Sequence, residues 1–398
     1  MNKQEKINLV LRKTIKMYNE ETIIEKLNSG KKLIIKFGAD PSRPDLHLGH
    51  TVALRALRSL QELGHQVVFI IGDFTAMIGD PSGKSKTRPP LTFEQTRKSG
   101  ETYFKQVTKI LDKEKTVIAY NSEWLDKLTF KDVLQLTGKY TLARLLERDD
   151  FSKRLNNNTP IGMHEMLYPL MQGYDSVAIK ADIEIGGNDQ TFNLLVGREL
   201  QRDYGQEPQD VMVFPLLVGL DGKEKMSKSL DNYIGIDEAP ESMYEKAMRI
   251  PDEALFDYFK LTTDIDLETA EKMIKEDIVN AHKEYAKEII RMYHGEEFIE
   301  KAIERYQTVA GGGIPDVIDI FEIEKETIEK GIVLTELLVM SKMLPSKSEA
   351  RRMIEQNGIS LNNNKENNVN KVITLSDFKD DFLVIQKGKK GFIKVVIK

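Results

Sequence analysis

Two apolar stretches of strand length flank a helix-forming stretch near the start of the chain, and that order leaves few folds open. Residues 32–38 (KLIIKFG) and 67–74 (VVFIIGDF) read as buried strands. Between them Leu54, Leu57, Leu60 and Leu63 recur at helical spacing, and Gly64 is placed to stop the helix. Strands that are apolar throughout, rather than alternating, are covered on both faces, so strand–helix–strand here specifies a parallel sheet of an α/β fold. Further strands are expected at 117–120 (VIAY), 182–187 (DIEIGG) and 211–219 (VMVFPLLVG). The stretch from about 75 to 180 is mostly helical in pattern and reads as an insertion between two halves of the sheet.

The chain changes character after this body. Residues 236–310 are helical and charged, with no strand run interrupting them, and AGGGIP (310–315) marks a break. The last segment suggests two short helices, a strand, a polar hairpin tip at 362–370 (NNNKENNVN) and a terminal β-hairpin. Three parts are therefore expected: 1–234, 235–330 and 331–398. Residues 331–398 hold 12 Lys/Arg against 7 Asp/Glu, whereas the whole chain has 58 against 63 and a net charge of −5, so a basic tail follows an acidic body. With 40% hydrophobic and 30% charged residues, a disordered or collagen-like chain is excluded. No apolar run approaches the roughly 18 residues of a membrane helix. The first 21 residues lack an apolar signal core, and the absence of cysteine rules out disulfides and thiol nucleophiles; a cytoplasmic enzyme is expected.

Three motifs bear on chemistry. In the first, His47-Leu48-Gly49-His50, two imidazoles three apart stand at the mouth of a helix, whose unpaired N–H groups and positive dipole end favour a phosphate gaining charge. Gly49 leaves the backbone bare for a flat base. Two surface histidines are an equally simple reading of the pair alone; a zinc pair is poorly supported, with no cysteine and no third ligand near in sequence. The second is Lys225-Met226-Ser227-Lys228-Ser229 in a glycine- and serine-rich loop. Its two ammonium groups can clamp a polyphosphate, or simply face solvent. The third, IGDPSGKSKTR (78–88), fails as a phosphate-binding P-loop because Gly79 and Gly83 are one residue too close. Asp80 instead reads as a charged group ending the second strand, at the ligand-binding edge of a parallel sheet.

HLGH followed about 175 residues later by KMSKS resembles the two signature motifs of the class I aminoacyl-tRNA synthetases. YPLMQGYDS (168–176), IGGNDQTFN (185–193), the IGDPSGK segment and the basic C-terminal part extend the resemblance to the bacterial tyrosyl-tRNA synthetases, from about residue 30 to the end. The resemblance implies a Rossmann-like catalytic domain with a helical insertion, then an α-helical anticodon-side domain, then a small α+β RNA-binding fold of the type first described in a ribosomal small-subunit protein. It implies activation of L-tyrosine by ATP, with accompanying Mg2+ and no metal ligand on the protein, and transfer of tyrosine to the 3′ end of tRNA(Tyr) by a homodimer.

By the same resemblance, His47 and His50 donate to the ATP phosphates, and Lys225 and Lys228 hold the departing pyrophosphate, with help from Lys84. Gly38, Asp40, Ser42, Gly49, Gly187, Asp189, Gln190 and Met226 complete the nucleotide site, with Asp189 accepting from ribose hydroxyls. Asp80, Tyr168, Gln172 and Gln190 surround the amino-acid end of tyrosine, Asn121 lines the pocket, and Asp175 accepts the phenol proton. A helix pair bearing Lys342, Lys347, Arg351 and Arg352, the two arginines following an N-cap-like Ser348, implies an RNA contact. One position departs from the pattern. Many relatives carry a tyrosine two residues before the glycine of the first strand, to hold the substrate hydroxyl, and here it is Lys36, to which the resemblance gives no role. A tryptophanyl relative, another nucleotidyltransferase with an HxGH phosphate device, and a non-catalytic RNA-binding paralogue are the competing readings.

Overall fold

The computed structural model describes residues 2–39, 46–82, 93–310, 318–379, 382–388 and 391–398. Asp40, Ser42 and Lys84 lie outside the described residues. The chain divides into two compact units: 1–239 with 246–294, and 240–245 with 295–398.

Among the described residues of the first unit, six strands form one sheet: β1 (Lys16–Tyr18), β2 (Ile34–Ala39), β3 (Gln66–Ile71), β4 (Thr116–Tyr120), β5 (Ile183–Gly187) and β6 (Asp210–Phe214). The order is β1-β6-β5-β2-β3-β4, with β2 to β6 parallel and β1 antiparallel on β6. From β2 the chain winds one way through β3 and β4, then returns to the other side for β5 and β6. The β2/β5 seam is therefore the topological switch point, where a parallel sheet opens a crevice at its carboxyl ends. β3 and β6 are buried along nearly their whole length, as strands covered on both faces must be. β1 has only three residues, exposed or half-buried, and carried no apolar pattern from which it could be read.

Helix α1 (Leu48–Glu62) joins β2 to β3 and buries Leu48, Val52, Leu54, Leu57 and Leu60. It ends ahead of Gly64, whose φ of +98° few side-chain-bearing residues adopt. Helices α2 (Met163–Ile179) and α3 (Thr191–Asp203) flank β5 and share a core of Leu170, Met171, Val177, Val196 and Leu200. They pack closely because Gly173 faces Gly197: a Cβ on Gly173 would stand 2.9 Å from Leu200 and 3.2 Å from the Gly197 backbone nitrogen.

The helices Leu255–Thr262, Leu267–Glu276 and Ile278–Tyr293 were expected in a separate body from residue 235, yet they belong to the first unit. Their apolar faces are not self-contained. Tyr258 donates to the Val218 carbonyl (2.6 Å), and Arg12 donates to the carbonyls of Thr263 (2.8 Å) and Ile265 (3.1 Å).

In the second unit, β7 (Asp319–Ile323), β8 (Ile332–Val333), β9 (Ile359–Leu361), β10 (Asn364–Glu366), β11 (Val372–Ile373), β12 (Phe382–Lys387) and β13 (Gly391–Ile397) make a sheet ordered β10-β9-β12-β13-β7 and a small β8/β11 pair. The expected helix pair is present, Leu334–Met340 and Lys347–Glu355. The core holds Leu337, Leu338, Ile354, Ile385 and Val395, but also Ile323 and Ile328. This core therefore starts before residue 331, because β7 adds a parallel edge strand to β13. The cap of helix Lys347–Glu355 is Ser346, which accepts from the Glu349 N–H at 3.2 Å, rather than Ser348. Arg351 and Arg352 are exposed on that helix, with Arg352 2.7 Å from Glu349; Lys347 pairs with Glu336, and Lys342 precedes the helix in a left-handed turn.

Candidate active site

The HLGH segment meets the chain that leaves KMSKS through backbone hydrogen bonds. The chain leaving KMSKS runs past the start of α1, where Leu48 N–H donates to the Ile234 carbonyl (2.9 Å) and Ile236 N–H donates to the Leu46 carbonyl (3.1 Å). KMSKS itself closes a hairpin, with Met226 N–H on the Leu217 carbonyl (2.7 Å) and Gly219 N–H on the Glu224 carbonyl (2.8 Å). Asn232 staples this hairpin. Its amide donates to Asp221 (2.6 Å) and the Lys225 carbonyl (3.2 Å), and accepts from Ser227 N–H (2.7 Å). A cavity of about 400 Å³ results, lined by His47, Gly49, His50, Gly187, Asp189, Lys225, Met226 and Lys228. All the described nucleotide candidates except Gly38 and Gln190 line it.

His47 occupies the N-cap of α1 and His50 its first turn, with ring centroids 3.9 Å apart. The His47 backbone N–H donates to His50 Nδ1 (3.2 Å). That bond makes Nδ1 the acceptor nitrogen, so the neutral ring carries its proton on Nε2. Burial pushes His50 down to about 4, and burial together with the His50 charge pushes His47 lower still. Both imidazoles are therefore neutral near pH 7. His47 Nδ1 is buried without a hydrogen-bond partner, which an incoming polar group would relieve. Lys225 lies 3.3 Å from Asp189, and Lys228 sits over the Tyr233 ring at 5.4 Å from its centroid.

An adjoining cavity of about 310 Å³ runs beneath the carboxyl ends of β2, β3 and β4 and is lined by Gly38, Asp80, Asn121, Tyr168, Gln172, Asp175 and Gln190. At one end Asp175 is buried. Trp124 Nε1 donates to its Oδ1 (2.8 Å) and Asn121 Nδ2 to its Oδ2 (3.4 Å). Burial pushes the Asp175 carboxyl up to about 7, against the opposing pull of Lys36, Trp124 and Asn121. At the other end lies a polar ring. Gln190 donates to Asp80 (2.8 Å), Asn193 to Gln172 (2.9 Å) and Gln190 (3.1 Å), and Arg148 to Ser82 (2.6 Å) and Asn193 (3.1 Å). Asp80 does not end a strand as expected. β3 stops at Ile71, and a short helix Thr75–Ile78 and Gly79 intervene before Asp80 turns back to the pocket.

Trp124, Arg148 and Asn232 hold residues that line these cavities, Asp175, Ser82 and Lys225 in turn, and were not anticipated. Trp124, the only tryptophan in the chain, was a readable signal. Arg148 and Asn232 lie in segments whose charge and turn character hid them. The site thus offers a phosphate-sized nest beside a slot with a carboxylate floor and a polar rim, suited to a triphosphate next to an amphipathic amino acid bearing a hydroxyl.

Two family matches cover most of the chain. Residues 28–310 match the family described as tRNA synthetases class I (W and Y), and residues 317–395 match the tyrosine–tRNA ligase SYY-like C-terminal domain. A tyrosine–tRNA ligase of Deinococcus radiodurans is 50% identical, over 99% of this chain and 96% of that protein. One from Aquifex aeolicus is 47% identical over the full length of both. Among solved structures, a tyrosyl-tRNA synthetase of Archaeoglobus fulgidus complexed with L-tyrosine has a TM-score of 0.62 at 23% identity, covering 75% of this chain and 99% of that one, a likeness of fold.

Proposed function

The chain belongs to the class I tRNA synthetases, among the tyrosine–tRNA ligases, and from that membership we propose how its two cavities divide the reaction. Tyrosine is activated with ATP to tyrosyl-adenylate and pyrophosphate, and the tyrosyl group then passes to tRNA. The tyrosine carboxylate attacks the α-phosphorus, the bond to the bridging oxygen of the β-phosphate breaks, and pyrophosphate leaves. A ribose hydroxyl at the 3′ end of tRNA(Tyr) next attacks the acyl carbon and AMP departs. The work is positioning and charge stabilisation.

ATP occupies the cavity of His47 and Lys228. His50 donates from Nε2 to a phosphate oxygen, and His47 meets the phosphates beside it. Gly49 leaves room for the base; a Cβ there would stand 3.0 Å from the His47 ring. Lys225 exchanges Asp189 for pyrophosphate, releasing Asp189 to accept from ribose, and Lys228 joins it. Tyrosine lies in the adjoining slot with its ammonium at Asp80, Tyr168 and Gln172 and its phenol on Asp175. Phenylalanine leaves Asp175 desolvated and short of a donor, which is costly. The observation that carries this reading is the backbone pairing of 46–48 with 234–236, which places an imidazole pair and a lysine pair in one cavity.

Mg2+ accompanies the ATP phosphates. The second unit contacts tRNA(Tyr) through Arg351, Arg352, Lys342 and Lys347. Two copies pair through the insertion, where Phe130, Leu134, Leu142, Leu155 and Met163 are exposed apolar side chains. No described helix is long and apolar enough to cross a membrane, and the enzyme works in the cytoplasm with its tRNA. Exchange of pyrophosphate into ATP, measured with tyrosine, phenylalanine and tryptophan, tests the reading. Tyrosine alone should support it; exchange with tryptophan only, or with none, would reject it.

A further inference from the structure

We infer that Lys36 is a specificity-determining positioning residue that keeps Asp175 available, as a carboxylate, to accept the substrate phenol. The inference rests on the assignment of the Asp175 slot to tyrosine.

Lys36 lies on β2 at the switch-point seam, paired in register with Glu184 of β5, and both are buried. Its ammonium is 2.8 Å from Glu184 Oε1 and donates to the Gln172 carbonyl (2.9 Å) and to Ser176 Oγ (2.7 Å). Three partners use its three protons. Gln172 and Ser176 flank Asp175 on α2, so Lys36 ties β2 to the helical turn that presents Asp175. It does so from beneath, without entering the cavity.

The lysine serves only one oxygen of Glu184. Its other oxygen accepts from Ser176 Oγ (3.1 Å) and from Gln209, in space that exists because residue 197 is glycine. A Cβ on Gly197 would stand 2.8 Å from Ser176 Oγ and 2.9 Å from Gln209 Nε2. A buried ion pair across a seam is no better for stability than an apolar pair of similar volume. Its distinguishing consequence here is electrostatic, because one ammonium serves two buried carboxylates. The groups facing Asp175 are Lys36 from β2, Glu184 from β5, the neutral donors Trp124 and Asn121 from the segment after β4, and Tyr168 and Gln172 from its own helix. Lys36 is the one cation among them. It favours the charged form of Asp175 and opposes the repulsion from Glu184. Without it the carboxyl holds its proton at neutral pH and becomes a hydroxyl donor. Tyrosine then loses the charge-assisted part of its hydrogen bond, and with it part of its advantage over phenylalanine. Lys36 thus acts on the hydroxyl end of the slot by charge, from outside the cavity.

The test compares Lys36→Met/Glu184→Gln with Asp175→Asn by pyrophosphate exchange, using tyrosine and phenylalanine from pH 6 to 9. Lys36→Met alone strands the Glu184 charge and can unfold the sheet; the double substitution avoids this. For the double variant, the limb of kcat/KM for tyrosine should move up by about one pH unit, and because the Asp175 carboxyl starts at about 7 the tyrosine KM at pH 7 should rise about fivefold with kcat within about twofold. Phenylalanine kcat/KM should stay level. A folded double variant with the parent tyrosine/phenylalanine ratio and an unmoved limb would overturn the inference, provided Asp175→Asn loses discrimination. If Asp175→Asn itself still prefers tyrosine, the slot assignment is wrong and the inference fails with it.

Discussion

Replacing His50 by alanine separates the chemistry of the phosphate nest from substrate binding. His50 is neutral at working pH, since burial pushes it down to about 4, and its Nδ1 is taken by the His47 N–H. What it offers a phosphate is one Nε2–H, not a full charge. A hydrogen bond to a charged group contributes about 1.5–3 kcal/mol, which is about 10- to 150-fold in rate. Adenylate formation, followed by quenched flow at saturating tyrosine and ATP, should slow by that factor. Tyrosine affinity should stay within about twofold. It can be read from the fluorescence of Trp124, the single tryptophan, whose indole sits on Asp175. The His47 N–H loses its acceptor, at a cost of about 1–2 kcal/mol in stability, so circular dichroism must accompany the kinetics. Because the ring stays neutral above about pH 4, the parent kcat should show no His50 limb between pH 5 and 8. An activation rate within twofold of the parent, or a limb near pH 6.5 that vanishes in the variant, would refute the reasoning.

Three other outcomes are expected. Asn232→Ala removes the staple of the KMSKS hairpin; losing its three hydrogen bonds, of about 1 kcal/mol each, should lower exchange by up to about 150-fold, with tyrosine-induced Trp124 fluorescence unchanged. A chain ending at residue 310 should keep exchange but charge tRNA at least about tenfold less well, with a shallower salt dependence; equal charging would remove residues 311–398 from tRNA contact. Lys13 is buried, and that burial pushes it down to about 7, while its contact Asp264 (3.5 Å) is also held by Arg55. The unfolded chain holds that proton up to about pH 10.5, so this group makes stability rise from pH 7 to 10.5. Lys13→Met should therefore raise stability at pH 7 by about 1–3 kcal/mol and flatten the rise in melts at pH 7 and 9; a lower midpoint would contradict it.

The parallel sheet was legible because its strands are apolar on both faces and α1 repeats leucine at helical spacing. β1 and β7 were not. Each is short and mostly exposed or half-buried, and each is a strand only because a neighbouring edge offers it hydrogen bonds. The body boundary at 234 was drawn from a change in composition, whereas the helices 255–293 find their apolar partners and the Val218 carbonyl in the first unit. Within the site, motif residues were visible because phosphate chemistry demands histidine, lysine and glycine at fixed spacing. Trp124, Arg148 and Asn232 act by holding other residues, from positions whose proximity only the folded chain creates. Lys36 was visible as an anomaly, and its partners Glu184 and Ser176 lie about 140 residues away, beyond any local pattern.

The claim on which the rest depends is that the imidazole pair and the lysine pair address one triphosphate, beside a tyrosine that ends on Asp175. A crystal structure with tyrosine and a non-hydrolysable ATP analogue tests it directly. The account predicts His50 Nε2 and the Lys225 and Lys228 ammonium groups within about 3.2 Å of phosphate oxygens, and the phenol within the same reach of Asp175 Oδ2. A nucleotide bound away from either motif, or a phenol pointing away from Asp175, would contradict it.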